Sequence, residues 1–241
     1  MHRFFVKEDC ISGQEVTLTE DNAAHAHVLR LRIGELIVAC FAGIDYFCEV
    51  TVASKGRVVA QILRNEPNNA SLPVQVTLFQ CLPKGSKMSD IIENATELGV
   101  FSIVPAISKR TIAKDAKPEK WQKQAESAAK LSHRGDIPSI GQALKLEQAI
   151  NCAKDFDHVF ACYELEKDLT MAQFMRDANV KSGQTMAFFI GPEGGFDPTE
   201  IELFEQAGIT AVSLGKRILR TQSASSCVLA NINFYLEDLN K

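Results

Sequence analysis

Ile190-Gly191-Pro192-Glu193-Gly194-Gly195-Phe196, followed at once by Asp197-Pro198-Thr199-Glu200, is the stretch that decides the fold. Met186 to Ile190 ahead of it is an unbroken apolar run of strand length, which reads as a buried strand. Asp197 suits a helix N-cap, Pro198 the first helical position, and Glu200 completes an Asp version of the capping box. Strand, glycine loop and capped helix therefore form one unit. In an open α/β sheet, ligands sit outside the carboxyl ends of the strands, where this loop lies. Its three glycines let backbone groups approach a ligand that side chains would block. A tight structural turn is the plain alternative. A nucleotide-phosphate cradle fits poorly, because neither Gly-x-Gly-x-x-Gly nor Gly-x-x-x-x-Gly-Lys-Ser/Thr is present.

The same rhythm extends upstream and downstream. Val74 to Leu82 reads as a buried strand, and Met88, Ile91, Ile92, Ala95 and Leu98 recur at helical spacing before the stop signal Gly99. Phe101 to Pro105, Val159 to Cys162 and Ala211 to Leu214 read as further strands, and Trp121, Ala125, Ala128 and Ala129 mark another amphipathic helix. A long helix from about Gln222 to Leu239 closes the chain. It carries Ala224, Cys227, Val228, Ile232, Tyr235, Leu236 and Leu239, more apolar positions than one stripe needs, which predicts burial on two sides. Strands alternating with helices predict a mostly parallel sheet covered on both faces. Before residue 70 the rhythm differs. Glu35 to Phe41, Tyr46 to Ala53 and Arg57 to Leu63 read as strands, punctuated by Gly43-Ile44-Asp45 and Ser54-Lys55-Gly56, a β-meander or small barrel. Asn65 to Pro73 is polar, holds two prolines and has no periodicity, so it reads as the linker. The expected domains are residues 1–68 and 74–241.

Composition narrows the function classes. The 241 residues carry 26 Lys and Arg against 30 Asp and Glu, a net charge of −4, so any nucleic-acid site must be a local basic patch. Seven scattered cysteines (10, 40, 48, 81, 152, 162 and 227) show no Cys-x-x-Cys spacing, and neither they nor the histidines suggest a metal site. Reduced thiols in a cytoplasmic protein are the simpler reading. Met1-His2-Arg3-Phe4-Phe5-Val6-Lys7 is broken by charge too early for a signal-peptide core, and no apolar run approaches the roughly 20 residues of a membrane span. No membrane partner is expected.

A second loop, Leu214-Gly215-Lys216-Arg217-Ile218-Leu219-Arg220-Thr221, also lies between a predicted strand and a helix. Its apolar pair could pack on an adenine face while the three cations Lys216, Arg217 and Arg220 face phosphate; a solvated charge run is the alternative. Lys84-Gly85-Ser86-Lys87 could contact RNA phosphates or simply form a solvated helix entrance.

Gly-Pro-Glu-Gly-Gly-Phe followed about twenty residues on by Leu-Gly-x-Arg-Ile-Leu-Arg-Thr resembles the ribosomal RNA small subunit methyltransferase E family, of the knotted SPOUT class. The resemblance runs nearly end to end, through Arg3-Phe4-Phe5, Val28-Leu29-Arg30 with Gly34 and Glu35, Lys84 with Lys87, and Thr96-Glu97-Leu98-Gly99-Val100, with weaker matches at Trp121-Gln122-Lys123 and Ser132-His133-Arg134. It implies an α/β protein with an N-terminal PUA-like β-barrel that helps hold RNA and a C-terminal SPOUT domain tied in a trefoil knot. It implies a homodimer that transfers a methyl group from S-adenosylmethionine to N3 of a uridine in 16S ribosomal RNA of the small subunit. The implied cofactor residues are Gly191, Pro192, Glu193, Gly194, Gly195, Leu214, Gly215, Ile218, Leu219 and Arg220. The implied RNA contacts are Arg3, Arg30, Arg32, Lys84, Lys87, Lys216 and Arg217. Phe4, Phe5, Phe41, Tyr46 and Phe47, beside Arg3, Arg30 and Arg32, could stack unpaired bases, and burial in the core is the alternative for most of them. The resemblance departs in three places: Gln222 stands where the family usually has Glu, Asn94 where a Lys is common, and two N-terminal histidines lie off the family's usual distance from Val28-Leu29-Arg30. Those two, His25 and His27, carry no assignment. Two rival readings stay open, ribose 2′-O methylation of RNA and a non-catalytic RNA-binding or ribosome-assembly protein.

Uridine N3 is protonated at neutral pH, so such an enzyme must align the base and assist proton loss. Arg220 and Arg217 cannot act as bases but can stabilise the anion left on the uracil oxygens. Arg220 is the expected catalytic residue. Glu200 reads as a helix cap, and Glu193 is the candidate carboxylate for a base that the residues alone do not identify.

Overall fold

The computed structural model describes residues 1–113 and 115–236. It contains two compact units, residues 1–71 with 129–137, and residues 72–128 with the chain from Pro138 onward. Residues 129–137, expected in the second domain, thus belong with the first. Their carbonyls explain why: the His133 oxygen accepts from the Asn68 amide at 3.0 Å and the Arg134 oxygen from the Arg3 guanidinium at 3.0 Å.

The first unit contains β1 (His2–Phe5), β2 (Ile11–Ser12), β3 (Glu15–Leu18), α1 (Glu20–Val28), β4 (Leu36–Phe41), β5 (Ile44–Ser54) and β6 (Arg57–Pro67). Its six-stranded sheet has the order β1-β4-β5-β6-β3-β2, with β1 parallel to β4 and the rest antiparallel. Ala42 and Gly43, both with positive φ (49° and 76°), turn β4 into β5, the backbone that a tight hairpin needs. Alternate residues (Val16 and Leu18, Ile37 and Ala39, Cys48 and Val50, Val58 and Ala60) join Phe4 in one core, the period-two pattern of a sheet with one buried face. Among the described residues no ladder joins β1 to β2, so the expected barrel is, by hydrogen bonds, a sheet with two edges wrapped on one core. The expected linker is shorter than residues 65–73. β6 continues through Asn65, paired with Tyr46, to Pro67, paired with Ile44, because Pro is tolerated at a strand end.

The second unit contains β7 (Gln75–Cys81), α2 (Lys87–Glu97), β8 (Ser102–Ile107), α3 (Pro118–Leu131, its last turn counted with the first unit), β9 (Ser139–Ile140), β10 (Leu144–Lys145), α4 (Leu146–Ala153), β11 (His158–Cys162), α5 (Met171–Ala178), β12 (Thr185–Ile190), α6 (Pro198–Gln206), β13 (Thr210–Val212) and α7 (Thr221–Leu236). Every ladder among its seven strands is parallel, in the order β10-β8-β7-β12-β11-β13 with β9 also on β8. Phe79, Cys81, Phe189 and Ala161 face a core shared with Leu146 and Ile150 of α4 and Ile201 and Phe204 of α6. On the opposite face Phe160 packs against Phe188 and against Phe174 of α5, with ring centroids 5.8 and 4.7 Å apart. Both faces are covered, which is why these strands read as continuous apolar runs. In α7, Ala224, Val228, Ile232 and Leu236 form one buried stripe, while Cys227 and Tyr235 are half-buried and Phe234 is 77% exposed. Leu239 lies outside the described residues.

Candidate active site

β11, β12 and β13 end on the same side of the parallel sheet, and the segments that leave them enclose a cavity of about 560 Å³. It is lined by residues 162–164, 190–195 and 213–222, with Lys87 and Ala224. The two loops singled out in the sequence therefore share one cavity, as strand ends of an open α/β sheet allow. Gly191, Pro192, Glu193, Gly194, Gly195, Leu214, Gly215, Ile218, Leu219 and Arg220 all line it.

The first loop is tightly drawn. The Gly195 N–H donates to the Pro192 oxygen at 2.9 Å, and Gly195 has φ 67°. A Cβ on Gly195 would lie 2.1 Å from Glu164 Oε1, and a Cβ on Gly191 would lie 3.4 Å from the Gly195 backbone. Bare backbone thus forms this wall. The Thr221 hydroxyl donates to the Gly191 oxygen at 2.8 Å and accepts from the buried Gln80 amide at 2.9 Å, joining the loop, the first residue of α7 and β7. On the other side the loop passes into α6 through the expected capping box. Asp197 accepts from the Thr199 N–H and Glu200 from the Asp197 N–H at 2.9 Å. The second Glu200 oxygen accepts from the Lys109 N–H at 2.7 Å, and the residue is 2% exposed, so its carboxylate is consumed in holding backbone.

Glu193 projects from the loop to α2. Its carboxylate accepts from the Lys84 N–H at 3.0 Å and from the Lys87 ammonium at 2.6 Å. Partial burial works against its charge, but the Lys87 and backbone bonds prevail and hold its carboxyl below the ordinary glutamate value. Cys162 lines the cavity as well, and burial raises its thiol above the ordinary cysteine value. Lys216, Arg217 and Arg220 are exposed and form no ion pair among the described residues, and Ile218 beside them is 86% exposed.

Residues 70–233 match the RNA methyltransferase domain family and residues 18–63 the RNA methyltransferase PUA domain family. The ribosomal RNA small subunit methyltransferase E of Bacillus subtilis is 31% identical over 98% of this chain and 98% of its own length. The chain belongs to the ribosomal RNA small subunit methyltransferase E family. The crystal structure of the Neisseria gonorrhoeae family member bound to S-adenosyl methionine is 30% identical, has a TM-score of 0.86 and covers 97% of both chains. A Legionella pneumophila methyltransferase solved in complex with bound S-adenosylmethionine is 27% identical, with a TM-score of 0.85 over 96% of both chains.

For a member of the ribosomal RNA small subunit methyltransferase E family, the expected RNA contacts fall in unequal places. Arg30 and Arg32 are exposed on the first unit, and Lys84, Lys216 and Arg217 on the second. Arg3 is different. Its guanidinium forms a bidentate pair with Asp45 at 2.6 and 2.9 Å and also meets Cys40 and the Arg134 oxygen. With both side chains 7% exposed, it holds the first unit together instead of facing phosphate. Lys87 is likewise committed to Glu193. Of the aromatics, Phe4 is core and Phe47 lies under the Arg64 guanidinium, 3.7 Å from the ring centroid. Glu164, Thr221 and Gln222 line the cavity without having been expected there. The strand-end rule applied to Val159–Cys162 points to Glu164, and Thr221 closes the second motif. Among the described residues no group of three or more His, Cys, Asp or Glu could hold a metal, and no helix is long and apolar enough to cross a membrane.

Proposed function

We propose that this chain methylates N3 of a uridine in 16S ribosomal RNA, using S-adenosylmethionine. The observation that carries the reading is the single cavity at the ends of β11, β12 and β13, built from both motif loops. Its residues fit such a cofactor. Gly191 and Gly195 present backbone where a Cβ would meet protein atoms. Gln222 Oε1 is buried on the wall with no partner among the described residues, an acceptor suited to an adenine amine or a ribose hydroxyl. The amide keeps this hydrogen-bonding capacity where the family usually has a carboxylate. Leu219, half-buried, offers an apolar surface to the adenine. When bound, the cofactor supplies an electrophilic methyl group on a sulfonium.

The protein's own part is to hold the uracil and manage charge. N3 lies on the pairing edge, so the nucleotide enters unpaired or flipped from its stack. Loss of the N3 proton leaves negative charge on the uracil oxygens, and Arg220, exposed on the cavity wall with no carboxylate partner among the described residues, stabilises it. Glu193 braces the loop: a carboxylate held by Lys87 and the Lys84 N–H has little affinity for a proton near neutrality. The crossing from β13, at the sheet edge, back to α7 beside β12 and α2 supports a trefoil knot in this unit. The exposed side of α7, with Phe234 and the half-buried Cys227 and Tyr235, supports a two-fold dimer; light scattering at micromolar concentration tests it, and a monomeric mass rejects it.

The test of function is direct. 30S subunits and free 16S ribosomal RNA, taken from cells lacking the gene, are incubated with the protein and labelled cofactor, digested to nucleosides and analysed by mass spectrometry. Label in 3-methyluridine is expected. Label in a 2′-O-methyl nucleoside, or in neither substrate, refutes the proposal.

A further inference from the structure

A second cavity, of about 450 Å³, adjoins the first across the glycine loop: Glu193 and Gly194 line both. Its other walls are Lys84, Lys109, Arg110, Thr111 and Ile112. Three cations and one carboxylate line it, and Asp197, 3.1 Å from Arg110 and 4.0 Å from Lys109, is a second carboxylate beside them. Glu193 neutralises little of their charge, being paired with Lys87. The Lys84 ammonium has no partner among the described residues.

Lys109 and Arg110 are held on a fixed turn, and the Lys84 backbone is bound by Glu193. The Thr111 N–H donates to the Ser108 oxygen at 3.1 Å, the Ser108 N–H donates to Thr111 Oγ1 at 3.0 Å, and the Lys109 N–H is bound by buried Glu200. Arg110 spends one guanidinium nitrogen on the Gly194 oxygen at 2.9 Å and the other on Asp197 at 3.1 Å. A guanidinium has five N–H donors, and those bonds leave others for a ligand. The Lys109 ammonium rests on the Thr199 hydroxyl, 4.0 Å from Asp197, and is more than half exposed. Ile112, 66% exposed, adds an apolar surface at the rim.

We propose that this second cavity seats a backbone phosphate of the RNA strand next to the target nucleotide, with Lys84 and Lys109 as its cations and Arg110 as a further donor. The proposal rests on the reading of the first cavity as an RNA methyltransferase site. A nucleotide whose base reaches the first cavity places a neighbouring phosphate just beyond the loop, where a preorganised cluster of cations with an apolar rim lies. Positioning of this kind fixes register and carries no sequence information.

The experiment compares the wild-type protein with Lys84→Ala/Lys109→Ala and Lys84→Arg/Lys109→Arg, reading steady-state methylation of the 16S substrate, RNA affinity at several salt concentrations, and cofactor affinity by calorimetry. For the alanine pair we expect KM for RNA to rise about tenfold with kcat little changed, the pattern of weakened uniform binding. The slope of log affinity against log salt should fall by roughly 0.7 for each phosphate the protein no longer neutralises. Cofactor affinity should hold, and the arginine pair should restore KM. An unchanged KM and salt slope would overturn the subsite. So would cofactor affinity weakened by the same factor, which would assign the cations to the cofactor's carboxylate. A wild-type protein that methylates no RNA would instead sink the underlying reading, and the subsite with it.

Discussion

The Thr221 hydroxyl donates to the Gly191 carbonyl oxygen at 2.8 Å, tying the start of α7 to the glycine loop that follows β12. Its oxygen also accepts from the fully buried Gln80 amide, so one side chain serves both partners. Thr221→Val keeps the shape and removes both bonds. Leaving buried polar groups unpaired costs about 1–3 kcal/mol each. Denaturant unfolding should show a loss in that range, and calorimetry a weaker cofactor complex, because the Gly191 wall is no longer held. Thr221→Ser retains the hydroxyl and should recover most of both. A valine variant with unchanged stability and affinity would mean that the bond holds nothing.

Gly195 and Glu164 form a second coupled pair. An alanine at 195 meets two penalties, the positive φ of 67° and a carboxylate oxygen 2.1 Å from the new Cβ. The left-handed backbone alone costs roughly 1–2 kcal/mol, and relief of the clash demands movement of Glu164 within the cavity wall. We expect Gly195→Ala to lose cofactor affinity and Gly195→Ala with Glu164→Ala to regain part of it. A double-mutant cycle by calorimetry reads this as a coupling energy, and strict additivity would show that Glu164 has room to move aside.

Asp45 governs the acid stability of the first unit. Burial raises its carboxyl, but bonds from Arg3 and Asn68 lower it further, and the net is a value below the ordinary aspartate range. The sign follows: its contribution is fully present above the ordinary value and is lost as pH falls through the folded one. Asp45→Asn should cost about 3–5 kcal/mol at pH 7, because Arg3 is left buried without its counter-charge. The difference between variant and wild type should shrink in urea titrations carried toward pH 3. A constant difference across that range would rule out the ion pair as its source.

Much of the second unit was legible because its strands are buried on both faces and so read as apolar runs, and because Asp197 and Glu200 write a helix start into local sequence. The short strands Ile11–Ser12, Ser139–Ile140 and Leu144–Lys145 were not, since two residues cannot express a period. The continuation of β6 to Pro67 was hidden by a polar, proline-bearing composition that tertiary pairing with Ile44 to Tyr46 overrides. The loops around the cavity were legible as motifs. Their neighbour Gln80 was not, because what matters about it is its bond to Thr221, 141 residues away. Arg3 shows the opposite error: an arginine beside aromatics reads as an RNA contact until Asp45, forty-two residues away, is found bonded to it.

Arg220 separates binding from chemistry. It stands on the cavity wall, exposed and without a carboxylate partner among the described residues, whereas Glu193 is held by Lys87 and the Lys84 N–H. A cation that acts on charge developing at the uracil oxygens matters more in the transition state than in the complex with cofactor. Arg220→Ala should therefore lower kcat by about 10²-fold or more, the scale of losing one stabilising donor, while cofactor affinity changes by no more than about threefold. Arg220→Lys should recover part of the rate, since charge survives although the planar fork does not. Glu193→Gln should leave the shape of the kcat profile between pH 6 and 9 unaltered, because its carboxyl titrates well below that window. Equal losses of kcat and cofactor affinity in Arg220→Ala would place Arg220 among the cofactor contacts alone. A missing basic limb in the Glu193→Gln profile would return Glu193 to the role of base.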